Sequence, residues 1–119
     1  MAASVITEHM VATVTPKQLV ELLATPGVDV VDVRNRDEWD TGRIEGSRLV
    51  PLDQLRANAE AALDPTKTIV FVCAKGVRSM EAAKLAERLG YLRVANLVGG
   101  TKAWLQDGLT LVTDSRVAA

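Results

Sequence analysis

Histidine, cysteine and aromatic residues are scarce in this chain of 119 residues, which has one His, one Cys and only 3% Phe, Trp and Tyr. A single cysteine, Cys73, cannot close an internal disulfide, so the fold is not tied to an oxidising compartment. Cys73 and the N-terminal His9 together cannot supply a zinc site of the usual kind. The same scarcity excludes a Ser-His-Asp or Cys-His pair unless His9 folds back from the terminus, so a reaction here must run without a histidine base. An excess of one charge is also lacking: 14 Lys and Arg face 15 Asp and Glu, leaving a net charge of -1. That balance carries no electrostatic footprint for nucleic acid and no polybasic membrane patch. No apolar run approaches the ~20 residues of a membrane span. The first ten residues carry Glu8 and His9 where a secretory signal would carry basic residues. The expectation is a cytoplasmic protein with no nucleic-acid and no membrane partner.

What is present is ordinary globular material, 48% apolar and 24% charged. A chain of this length is a prior for one domain and buries roughly two-thirds of its unfolded surface. Residues 1–10 and 113–119 read as tails on a domain spanning 11–112. Thr15-Pro16-Lys17-Gln18 is a helix start, with a Thr cap, Pro at the first helical position and Gln three after the cap. That helix reaches about Ala24, and Pro26-Gly27 breaks it. Val28–Val33 reads as a buried strand, Asn35 and Glu38 as the next cap, and Leu49-Val50 as a brief strand. Asp53–Leu63 reads as one Ala-rich helix. Thr68–Val72, apolar after its first residue, suits a central strand covered on both faces. A helix over Ser79–Leu89, a strand over Val94–Val98 and a helix over Thr101–Gln106 complete the alternation. The pattern predicts an α/β fold, a mostly parallel sheet of about five strands with helices on both faces.

The one cysteine stands at the C-terminal end of the best strand and just before the best helix, in Cys73-Ala74-Lys75-Gly76-Val77-Arg78-Ser79. Sites in open α/β sheets form outside the carboxyl ends of the strands. A short loop into a helix N-terminus aims several backbone N–H groups at one spot and makes an anion nest. A sulfur anion at its centre is stabilised, so the thiol pKa should fall. Gly76 lets the loop curl, and Lys75 and Arg78 add positive charge at its opening. The alternative for a lone Cys at a strand end is a small buried hydrophobe, and the loop context argues against it. Arg78 either presents its planar fork to an oxyanion or pairs with a carboxylate.

These residues resemble the single-domain rhodaneses, a sulfurtransferase family. Cys73 through Ser79 matches that family's active-site loop. Val30-Val31-Asp32-Val33-Arg34 with Glu38-Trp39 and Gly42-Arg43-Ile44-Glu45-Gly46 resembles an upstream signature, and Leu97-Val98-Gly99-Gly100-Thr101-Lys102-Ala103-Trp104 a downstream one. The resemblance implies the three-layer rhodanese-like fold and one complete domain without the inactive second copy of tandem members. It implies covalent catalysis in which Cys73 takes a sulfane sulfur from a small anionic donor and passes it to a thiol, protein or cyanide acceptor. Cys73 is then the catalytic residue, and Ala74, Lys75, Gly76, Val77, Arg78 and Ser79 bind the donor. Lys75 and Arg78 orient it. No metal or organic cofactor is implied, and a monomer and a homodimer stay equally open.

Asp32 and Arg34 read as supporting residues that tie loops together by a charge-assisted hydrogen bond. Trp39 and Trp104 read as packing residues. Family members often carry His and Pro where this chain has Arg43 and Glu45; Arg43 either faces the site or pairs with a nearby acid such as Asp40 or Glu45. Two rivals share the fold. A cysteine phosphatase or arsenate reductase places its Arg six residues after Cys, whereas Arg78 is five after Cys73, and no carboxylic acid stands out to protonate a leaving oxygen. A sulfur carrier or protein-interaction module shares both fold and loop.

Overall fold

The computed structural model describes residues 10–114. Five strands form one sheet: β1 (Met10–Val14), β2 (Val28–Asp32), β3 (Arg48–Leu49), β4 (Thr68–Val72) and β5 (Arg93–Leu97). The order is β1-β5-β4-β2-β3 and every pairing is parallel. The helices are α1 (Pro16–Leu23), α2 (Arg36–Asp40), α3 (Leu52–Ala57), α4 (Ala59–Ala62), α5 (Val77–Arg88) and α6 (Gly100–Gln106). This is the α/β, two-faced parallel sheet that the sequence predicts.

The period-2 alternation of β4 sorts the interior into two cores. Ile69, Phe71 and Cys73 point to one face and pack with Leu52, Leu55, Ala82, Ala83 and Ala86 of α3 and α5. Val70 and Val72 point to the other face, with Leu19 and Leu22 of α1 and Trp104 of α6. Cys73 therefore continues the α3–α5 face as β4 ends. Asn96, two residues beyond Val94 on β5, lies on that same face.

Three expectations change. Strand β1 begins at Met10, inside the stretch read as a tail, because Met10–Val14 pairs in register with Arg93–Leu97. The expected helix over Asp53–Leu63 is two helices. Asn58 breaks it, extended at φ -160° and ψ 80°, with its side chain accepting from the Ala61 N–H at 3.3 Å; a residue that caps this well competes with helix continuation. The helix expected from Ser79 starts two residues earlier, at Val77, because Gly76 turns the chain directly into it.

Candidate functional site

The loop leaving β4 reverses through Gly76, which sits at φ +93° as the residue before α5. A side chain there is disfavoured twice over: the backbone is left-handed, and a Cβ would come to 3.0 Å from the Gly99 nitrogen. The reversal brings backbone donors under the Cys73 sulfur. Gly76 N–H donates to Sγ at 3.1 Å and Ser79 N–H at 3.3 Å, while the Ser79 hydroxyl lies 3.2 Å from Sγ. Burial pushes the Cys73 thiol up, but the Ser79 hydroxyl and the amides of Ser79, Lys75 and Gly76 outweigh it, so the net direction is down.

The loop is held from outside by two further elements. The Thr101 N–H donates to the Cys73 carbonyl at 2.9 Å and the Lys102 N–H to the Ala74 carbonyl at 3.1 Å, so the first turn of α6 clamps the start of the loop. Gly100 makes this approach possible, since a Cβ on it would stand 2.3 Å from the Cys73 carbonyl oxygen. Asn96 fixes the loop's other end. Its Nδ2 donates to the Gly76 carbonyl at 3.1 Å, which leaves its Oδ1 to accept from the Ser79 hydroxyl.

The sulfur opens onto a pocket of about 450 Å³ lined by Glu38, Cys73, Ala74, Lys75, Val77 and Arg78. Of the expected donor-binding set, Ala74, Lys75, Val77 and Arg78 line this pocket. Gly76 and Ser79 lie beneath it and act on the sulfur itself; Ser79 is fully buried. Arg78 is engaged in a two-point pair with Glu38, Nη1 to Oε1 at 2.7 Å and Nη2 to Oε2 at 2.8 Å. That pair holds the Glu38 carboxyl at about 2, well below the ordinary carboxylate range, against an opposing push from burial. The sequence offers no acid for a phosphatase-like leaving group. The structure does place a carboxyl at the pocket, but Arg78 keeps it ionised, so it has no proton to give near neutral pH.

Asp32 and Arg34 lie away from the pocket lining. The Asp32 carboxylate accepts from the Arg34 Nε at 3.0 Å and Nη2 at 2.9 Å, and Nη2 also donates to the Gly42 carbonyl at 2.7 Å. Both side chains are buried. The pair joins the end of β2 to the turn after α2, the short helix that carries Glu38. Arg43 neither faces the pocket nor pairs with Asp40 or Glu45. It pairs with Asp114, and its guanidinium lies 4.6 Å from the Trp39 ring centre. The antiparallel contact between Arg43 and Val112 brings Asp114 within reach. Trp39 and Trp104 are both buried. His9 lies outside the described residues.

Sequence reasoning takes Glu38 as a cap residue and part of the upstream signature without placing it at the site, and passes over Asn96. Glu38 is fully accounted for by its place in the helix cap, where its Oε1 accepts from the Asn35 N–H at 3.2 Å. Asn96 carries a signal: it is a lone polar residue in an otherwise apolar strand, and it is buried.

The family model described as "Rhodanese-like domain" matches residues 15–107. The human thiosulfate:glutathione sulfurtransferase is 31% identical over 107 residues, covering 79% of this chain and 93% of that protein. A probable adenylyltransferase/sulfurtransferase MoeZ of Mycobacterium tuberculosis is 34% identical over 95 residues, covering 78% of this chain but only 24% of its own length. This chain thus spans about a quarter of that relative. Among solved structures, a rhodanese-related protein from Thermoplasma volcanium superposes with a TM-score of 0.76 at 29% identity, covering 84% of this chain and 96% of that one.

Proposed function

Since the chain belongs to the rhodanese-like domain family, we propose that it is a sulfurtransferase working through a persulfide on Cys73. The observation that carries this reading is the sulfur's setting: two backbone N–H groups and a hydroxyl converge on Sγ at the floor of a pocket. The Cys73 thiolate attacks the outer sulfur of an anionic donor, such as thiosulfate, a persulfide or a polysulfide. With thiosulfate, the bond between the two sulfurs breaks, sulfite leaves with the electron pair, and Cys73 carries the sulfane sulfur as a persulfide anion. A thiolate or cyanide then attacks that terminal sulfur, and the Cys73 thiolate is released as the leaving group. No proton has to be moved by a histidine at either step, in keeping with the composition. The donors beneath Sγ stabilise the thiolate at the start and again as leaving group at the end.

The test is thiocyanate formation from thiosulfate and cyanide, with Cys73→Ser as the control. Turnover is expected from the native chain and none from Cys73→Ser, with intact-mass analysis of the donor-treated native protein showing one added sulfur atom. Absence of both turnover and the added sulfur overturns the reading. An added sulfur from a persulfidated donor protein, with no turnover of small donors, assigns the chain as a carrier. Aryl phosphate hydrolysis lost in Cys73→Ser assigns it as a phosphatase.

A further inference from the structure

Glu38 is more charged than its place in the fold requires. Its structural duty is the cap of α2, where Oε1 accepts from the Asn35 N–H, and a glutamine caps a helix in the same way. Its pair with Arg78 adds little to stability, because both side chains are about one-third exposed, at 34% and 36%, and pairs of that exposure contribute modestly. Yet the pair is geometrically strong, two short parallel bonds across the mouth of the Cys73 pocket.

The consequence lies in the pocket's charge. Glu38, Lys75 and Arg78 all line it. The carboxylate cancels one of the two cations and occupies the edge of the guanidinium fork that a sulfonate would use, since carboxylate and sulfonate oxygens offer the fork similar acceptors. We propose that Glu38 is a specificity-determining residue, a built-in competitor for Arg78 that disfavours doubly charged sulfur donors relative to singly charged ones. The inference rests on the reading of Cys73 as the sulfur-accepting nucleophile. A dianion such as thiosulfate must displace the Glu38 carboxylate from Arg78 and bind beside it. A singly charged thiosulfonate meets half the repulsion and has less need of the fork.

Thiosulfate and methanethiosulfonate form a matched pair for the experiment. Each carries one transferable sulfane sulfur on a sulfonyl-type sulfur; attack by the Cys73 thiolate breaks that sulfur–sulfur bond, leaving the Cys73 persulfide anion and releasing sulfite or methanesulfinate. Steady-state kinetics with cyanide as acceptor are measured for the native chain, Glu38→Gln and Asp37→Asn. Asp37 is exposed on the same helix, so its variant controls for charge alone. Glu38→Gln should lower KM for thiosulfate about three- to fivefold, the size of one partly exposed charge interaction. It should leave kcat for thiosulfate and both constants for methanethiosulfonate within about twofold, and melting temperatures confirm that the variants fold. Asp37→Asn should change neither donor. The assignment is overturned if Glu38→Gln leaves the ratio of the two kcat/KM values unchanged, or if Asp37→Asn shifts that ratio equally. If the native chain takes sulfur from neither donor, the sulfurtransferase reading itself fails, a result distinct from an unchanged ratio in an active enzyme.

Discussion

Ser79 has one hydroxyl hydrogen and two neighbours that can accept it. Asn96 is oriented by the Gly76 carbonyl, so its oxygen faces Ser79. The Cys73 sulfur lies on the hydroxyl's other side. While Cys73 is a thiol, the chain of donors runs from S–H to Ser79 to Asn96. Once the sulfur is ionised, the hydroxyl is drawn to it, because a buried anion gains more from a hydrogen bond than a neutral amide oxygen does. Ser79→Ala removes this donor and leaves the opposing effect of burial in place. The pH midpoint of Cys73 alkylation by iodoacetamide should therefore move upward in Ser79→Ala; a midpoint that stays or falls contradicts the assignment of the hydroxyl. At this scale the sequence exposes the residues that must lie together along the chain. The segment Cys73–Ser79 is legible because strand end, glycine and helix start follow one another. Glu38 and Asn96 are not, because each reaches the site from a distant segment and each has a sufficient local explanation, a helix cap for one and a polar interruption of a strand for the other.

The elements meet most closely where α6 starts. Two of its N–H groups clamp the carbonyls of Cys73 and Ala74, so the loop is held by a helix that contributes nothing to the pocket lining. Gly100→Ala tests that clamp. The residue sits at φ +61° with no room for a methyl group against the Cys73 carbonyl, and both the strain and the clash act against folding. A loss of about 1–3 kcal/mol in urea unfolding is expected, together with an upward shift in the pH midpoint of Cys73 alkylation as the loop donors slacken; a variant as stable as the native chain and with the same midpoint refutes the clamp. Element types are read well from the sequence wherever periodicity is strong, as in β4 and α5. The misses have local causes. The strand β1 is an edge strand of five residues next to a stretch read as a tail, and its pairing with β5 is set by residues some eighty positions away. The break at Asn58 is a capping choice that an Ala-rich background hides.

Across the whole molecule, the segment after α6 works as a strap over the α1–α6 core. The Trp104 indole N–H donates to the Thr110 carbonyl at 2.9 Å, Leu109 and Leu111 pack on that core, and Val112 exchanges backbone hydrogen bonds with Arg43. Ending the chain after Gly108 strips this cover from Trp104 and Ile44. Two partly buried leucines and the lost hydrogen bonds amount to about 3 kcal/mol. The truncated chain should melt lower and bind more of a hydrophobic dye, and an unchanged melting temperature would show the strap to be ornamental. The strand order has its own consequence, in time. The β2–β3 and β4–β5 pairings join consecutive strands and β2–β4 skips only one, whereas β1, the first of the described strands, pairs with β5, the last of them. During synthesis β1 must wait, its edges bare, until residue 97 has emerged. Such non-local parallel pairing is slow to form. Asn96 and the α6 clamp arrive in that same final stage, so the amides that face Cys73 Sγ are made early, while the contacts that fix their loop from outside are the last to form.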